Sequence, residues 1–152
     1  MSNVISVSRV IAAPADQLYA MVSDLPRMGE WSPENTGGSW KGGATGPAVG
    51  AKFEGTNRNG KKAWSTVCAV SEATPGTTFA FEVAAVGLKV AGWRYDFEAV
   101  DGGTKVTETW TDRRNGLVKF LGKPLSGVAD RASHNRASME QTLERLATAA
   151  TA

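Results

Sequence analysis

Between Ala51 and Arg113 the chain reads as five strand-like runs, at about 51 to 58, 62 to 72, 77 to 86, 89 to 100 and 103 to 113. The joints between these runs constrain the fold more than any other feature. Asn59-Gly60 is a two-residue hairpin signal, Thr74-Pro75-Gly76 is turn chemistry, and Asp101-Gly102-Gly103 supplies residues that tolerate positive φ. Links this short can only join antiparallel neighbours, so the segment is expected to form a meander. From Pro124 to about Ala147 the period changes, with Leu125, Val128, Ala132, Met139, Leu143 and Leu146 on one helical face. A helix of about 22 residues is roughly 33 Å long, enough to cross the whole sheet.

The chain before the meander adds a strand and two short helices. Residues Asn3 to Ala12 alternate apolar and polar, and Pro14 follows where a first helical residue is favoured. Leu18, Val22 and Leu25 then fall at helical spacing, with Asp16 suiting the dipole of the first turn. Asp24 before Leu25-Pro26 is expected to cap a second short helix ending near Trp31. The glycines at 37, 38, 42, 43, 46 and 50 are too irregular for a phosphate loop and lack its lysine, so loops and a weak edge strand are expected there. The fold class is therefore α+β.

A length of 152 residues suits one domain spanning 1 to 152, and no stretch has the apolar length of a membrane span. Seventeen basic against fifteen acidic residues, without a basic run, do not point to nucleic acid. Arg113, Arg114, Lys119 and Lys123 form the one local cluster, read as a solvated loop. Cys68 is the single cysteine, so no internal disulfide can form, and it is expected to be a buried small hydrophobe. With no signal-peptide pattern at the start of the sequence, a cytoplasmic location is expected. One histidine and one cysteine cannot assemble an ordinary zinc site, and neither a Gly-x-Ser-x-Gly elbow nor a dinucleotide fingerprint occurs. No metal and no cofactor are expected, and the sequence leaves the oligomeric state open.

Several local motifs resemble one family. They are Ala13-Pro14-Ala15 with Leu18, Val22-Ser23-Asp24-Leu25-Pro26 and Glu30-Trp31-Ser32-Pro33, continued by Val49-Gly50-Ala51-Lys52-Phe53 and Gly103-Thr104-Lys105-Val106-Thr107. With the order β-α-α, hairpin strands and a final long helix, they resemble the START-like (SRPBCC) superfamily, in its polyketide cyclase/dehydrase branch. That resemblance implies a helix-grip fold. A seven-stranded curved antiparallel sheet, in the order 1-7-6-5-4-3-2, would wrap a long C-terminal helix, with two short helices between strands 1 and 2. A ligand would lie between sheet and helix.

Strand alternation assigns faces, since residues two apart point the same way. Trp93, Tyr95 and Phe97 share a face opposed by Arg94, Asp96 and Glu98, and Phe79, Phe81 and Val83 share one opposed by Glu82. These aromatics are expected to point inward, as core or as pocket wall. Trp31, Trp64, Trp93 and Trp110 are the tryptophans expected to line a pocket, and Trp40 is set aside because its strand is poorly defined. On the last helix Met139 belongs to the apolar stripe and Asn135 interrupts it, so Asn135 is expected to bond a ligand, a water or a strand carbonyl. His134 lies beside the stripe and reads as a partly exposed helical histidine.

Glu108 breaks the pattern, because it shares a face with Val106 and Trp110 while Lys105, Thr107, Thr109 and Thr111 take the other. Two arrangements are open. Arg9, on a face with Ile5, Val7 and Ile11, could pair with Glu108 across neighbouring strands and keep it ionised. Unpaired in an apolar site, Glu108 would instead have a raised pKa and be a candidate general acid or base.

Three functions follow in rank order. First is binding of a small hydrophobic or aromatic ligand, such as a lipid, polyketide or related metabolite, which needs no catalytic residue. Second is a polyketide cyclase or dehydratase-type enzyme using the same cavity, with Glu108, and Tyr95 or His134, moving protons. Third is an interaction protein using an apolar patch at Leu117, Val118, Phe120 and Leu121, a segment that could equally be a lid or a packed helix.

Overall fold

The structure is a computed structural model that describes residues 4–116, 119–120 and 130–152. Strand β1 (Val4–Ile11) leads into helix α1 (Ala15–Ser23) and a 3-10 helix (Leu25–Glu30). The remaining strands are β2 (Asn35–Trp40), β3 (Lys52–Asn59), β4 (Lys62–Thr74), β5 (Thr78–Ala85), β6 (Leu88–Val100) and β7 (Gly103–Asp112). Helix α2 (Arg131–Ala150) closes the chain. The seven strands form one antiparallel sheet in the order β1-β7-β6-β5-β4-β3-β2. This is the helix-grip arrangement, with the first and last strands side by side.

Turn chemistry sets the register. The β3–β4 loop is Gly60-Lys61, with Asn59 already paired to Lys62, one residue later than the Asn59-Gly60 signal suggested. Gly60, at φ +61, takes the positive dihedral that a two-residue hairpin requires at its first position. Between β5 and β6 the loop is Val86-Gly87, closed by the pair Ala85 and Leu88. Both residues have positive φ, +48 and +76, so a β-branched side chain occupies a left-handed position there.

The helix boundaries differ from expectation in three places. Pro14 is the N-cap of α1, with extended dihedrals, and Ala15 is the first helical residue. Asp24 precedes the 3-10 helix as expected but its side chain makes no capping hydrogen bond. Helix α2 opens at Arg131, where the carboxylate of Asp130 accepts from the Ser133 amide at 3.2 Å. An acceptor that meets an otherwise orphaned amide starts a helix more firmly than apolar spacing does. Residues 124 to 129, with Leu125 and Val128, lie outside the described residues, as do Asn3, Leu117, Val118, Leu121 and Lys123.

The core lies between the concave sheet and α2. Leu143 and Leu146 of α2 are buried, whereas Ala132, expected on the same stripe, is exposed because the inward row runs through Asn135 and Met139. Helix α1 covers one end of the sheet, where Tyr19 meets Phe79 and Phe97 edge-on at 6.1 and 6.0 Å between ring centres. Trp40 packs edge-on against Phe53 at 5.3 Å, giving the glycine-rich edge strand β2 its anchor. Among the described residues no helix is long and apolar enough to cross a membrane.

Candidate functional site

Toward the end of the sheet away from α1, the sheet and α2 enclose a cavity of about 230 Å³. The cross-strand register builds its wall in rows. One row runs Val70, Phe81, Trp93, Trp110 and Ile5 across five strands, and the next runs Phe79, Tyr95, Glu108 and Val7. Phe81, Trp93, Trp110, Tyr95 and Glu108 from these rows line the cavity, with Trp64 from β4 and Asn135 and Met139 from α2. Phe81, Tyr95, Trp110, Asn135 and Met139 are buried, and Trp64 and Trp93 are half-buried nearer the rim. Val86 and Leu88, at the β5–β6 hairpin, also border the cavity, and Val86 is 92% exposed.

Two of the aromatics expected at the pocket belong to the core instead. Trp31 is 1% exposed, ends the 3-10 helix and carries the Arg27 guanidinium 5.2 Å from its ring centre. Phe79 is fully buried beneath α1, touching Tyr19 and Phe81. Its inward direction follows from alternation, but α1 fills the space it points into. Cys68 lines the cavity and is buried, and burial pushes its thiol up to about 12, consistent with an inert small hydrophobe.

Glu108 is the polar centre of the site. Its side chain is 3% exposed, and Oε2 accepts a hydrogen bond from the Tyr95 hydroxyl at 3.0 Å. Oε1 has no hydrogen-bond partner among the described residues. Arg9 is not that partner: it stands opposite Val106, one inward position along β1 from Val7, and stays exposed. A guanidinium at a sheet edge keeps its hydration, which the apolar floor of the cavity would strip away. Burial pushes the Glu108 carboxyl up to about 8, opposed only by the Tyr95 hydrogen bond, and the same burial and the neighbouring carboxylate raise Tyr95 well above the ordinary tyrosine range.

A second polar cluster, which the sequence did not reveal, bridges the helix and the segment before β2. Arg131 donates from Nη1 to Glu34 Oε1 at 2.6 Å and to Asn135 Oδ1 at 3.3 Å, and its guanidinium sits 5.9 Å from the Trp64 ring centre. Glu34 Oε2 and His134 Nε2 are buried, have no hydrogen-bond partner among the described residues and stand 3.4 Å apart. Arg131 is one helical turn before Asn135, so following the inward row back one turn would have found it. Glu34, in an aperiodic segment after Pro33, carries no such signal. Arg114 also reaches the cavity, held by Asp112 through bonds of 2.8 and 2.9 Å and lying 6.0 Å from the Trp110 ring centre. The basic cluster around it is ion-paired, Arg113 to Glu82 and Lys119 to Asp112. Among the described residues no group of three acidic, histidine or cysteine side chains could hold a metal ion.

A curved seven-stranded sheet gripping one long helix, with a mostly apolar cavity between them, defines a START-like protein. The chain belongs to the family described as polyketide cyclase/dehydrase and lipid transport, which matches residues 3–151. Among solved structures, the Polyketide_cyc-like protein Cgl2372 from Corynebacterium glutamicum is 34% identical, covering 99% of this chain and 84% of its own, with a TM-score of 0.57. Protein CV1439 from Chromobacterium violaceum is 13% identical over 97% of both chains, with a TM-score of 0.70. The di-domain ARO/CYC StfQ from the steffimycin biosynthetic pathway is 14% identical over 97% of this chain and 50% of its own, with a TM-score of 0.72. The last two likenesses establish the fold alone. No curated protein matches the chain.

Proposed function

We propose that the protein binds a small hydrophobic or aromatic molecule in the cavity between the sheet and α2. The observation that carries this reading is the wall itself: Trp64, Phe81, Trp93, Tyr95, Trp110 and Met139 converge on one space, with Glu108, Asn135 and Thr142 as its buried polar points. Apolar walls with a few convergent polar groups are the usual make-up of a small-molecule site. A cavity of about 230 Å³ falls below the roughly 300 to 1,000 Å³ of most ligand pockets, which favours one or two rings over a long acyl chain. Membership of the family supports a ligand-carrying or cyclase role without choosing between them.

A second reading, proton transfer on the bound molecule, is favoured by one observation: Glu108 Oε1 is buried, without a hydrogen-bond partner among the described residues, on a carboxyl bonded to Tyr95. A carboxyl held near neutral pH is suited to general acid or base work.

One experiment addresses both readings. The protein is incubated with an extract of its native cells, repurified, and the bound small molecules are identified by mass spectrometry, in parallel with a Trp93→Ala variant. The binding reading expects an unchanged aromatic or apolar species, recovered at least about tenfold less with the variant. Recovery of a species differing from its precursor by water or by ring closure supports the enzyme. Equal recovery from both proteins of every species found would sink the cavity as the site.

A further inference from the structure

Helix α2 is fixed differently at its two ends. Its backbone packs chiefly against β1, β7 and α1, and at its C-terminal end the Ala150 carbonyl accepts from the Gln17 side chain of α1 at 3.1 Å. At its first turn the tie is polar and reaches the opposite edge of the sheet, from Arg131 to Glu34, the residue before β2. The Glu34 backbone is itself anchored, because its carbonyl accepts from the Arg58 amide of β3 at 2.7 Å. We infer that Glu34, Arg131 and His134 form a proton-operated latch, which holds the first turn of α2 against the β2–β3 edge when His134 is protonated and loosens when it is neutral.

Each carboxylate oxygen of Glu34 faces one base of the helix. Oε1 takes Arg131 at 2.6 Å, while Oε2 stands 3.4 Å from His134 Nε2, and neither of these last two buried atoms has a hydrogen-bond partner among the described residues. A neutral imidazole with its proton on Nδ1 turns a lone pair toward the anionic oxygen, and one with its proton on Nε2 donates without a charge. The imidazolium supplies donor and charge together, in a bond of about 2.7 to 2.9 Å. Protonation therefore satisfies two orphaned atoms at once and draws the helix toward Glu34. Histidine changes charge between about pH 5 and 8, so the latch is complete at the acid end of that range and weakens toward the alkaline end.

The surrounding charges leave this exchange to the pair. Arg131 is spent on Glu34 and Asn135. On α2, Asp130 accepts from the Ser133 amide and Arg136 is exposed. On the 3-10 helix Arg27 and Glu30 hold each other at 2.8 Å, on β3 Arg58 is exposed, and on β7 Glu108 is bonded to Tyr95. Glu34, Arg131 and Asn135 line the cavity and His134 does not, so the latch is part of the cavity wall. The His134 side chain is 31% exposed, which gives its proton a path to solvent.

The test is amide hydrogen exchange of the full chain, without ligand, at about pH 5.5 and about pH 8, corrected for intrinsic rates. The imidazole nitrogen-15 signals report the charge of His134 without ambiguity, since the chain has one histidine. Protection of residues 134–139, taken relative to 142–146, is expected to be about tenfold greater at the acid pH and to follow the imidazole charge. His134→Gln removes the response, and because it keeps Glu108, any contribution of that carboxyl cancels in the comparison with wild type. His134→Arg holds the protection at both pH values, and Glu34→Gln abolishes the response while the imidazole still titrates. The inference is overturned by equal relative protection at the two pH values in the wild type, by a change that does not follow the imidazole signal, or by a response that survives in His134→Gln or Glu34→Gln. The wild-type readings decide the matter by themselves where a variant does not fold.

Discussion

Glu108 gives the folded state a pH dependence that the unfolded chain lacks. Its pKa rises from the ordinary 4.5 to about 8 on folding, because burial outweighs the single bond from Tyr95. Between those values the native state holds a proton that the unfolded state has released, so its stability is complete below about pH 4.5 and declines as pH rises toward 8. Above that range the penalty is constant. The Glu108→Gln variant removes this titration, and its stability relative to wild type is expected to grow by up to about 1.4 kcal/mol per pH unit through the window. Urea unfolding of both proteins across that range reads the difference, and parallel curves would mean that Glu108 is already ionised in the native state. That Glu108 points inward was legible from strand alternation, since Val106 and Trp110 share its face. Its partner was not: pairing depends on which of Arg9 and Tyr95 gives up its hydration more cheaply, and an edge-strand cation gives it up less readily than a phenol.

The β5–β6 hairpin stands out among the elements. Its two-residue loop needs positive φ at both positions, which asparagine and glycine accept and valine resists. Val86 adopts φ +48 while its side chain is 92% exposed, so little packing offsets the strain. Val86→Asn is expected to stabilise the protein by about 0.5 to 1 kcal/mol, read as a rise in Tm. An unchanged or lower Tm would mean that contacts of Val86 at the cavity rim outweigh its backbone strain. The neighbouring elements show how far local rules reach. The hairpins at 60, 76 and 102 follow from glycine chemistry, with the first loop displaced by one residue because Asn59 closes the last strand pair. Helix α2 starts at Arg131 because Asp130 caps it, a local signal that prevails over the apolar spacing.

Across the whole molecule, stability and binding divide between the two ends of α2. Toward its C-terminus Leu143 and Leu146 are buried in the core, and toward its N-terminus Arg131, Asn135 and Met139 face the cavity. Leu143→Ala is expected to lower stability by about 2 to 5 kcal/mol, and Trp93→Ala, half-buried at the cavity, is expected to lower it less while weakening ligand binding more. We propose that the chain is one cooperative unit, so tryptophan fluorescence and far-ultraviolet circular dichroism should report the same transition for each variant. Two separated transitions would contradict that. The sequence by itself determined the meander, the inward faces of its strands and the presence of a long amphipathic helix, because turn chemistry and side-chain alternation act between near neighbours. Only the tertiary structure decided that α1 takes Phe79 into the core, that Trp31 stays out of the cavity, that Arg131 reaches Glu34 and that Glu108 meets Tyr95 instead of Arg9. Alternation fixes the direction of a side chain across the sheet but not what lies above it, and that depends on where helices distant in sequence come to rest.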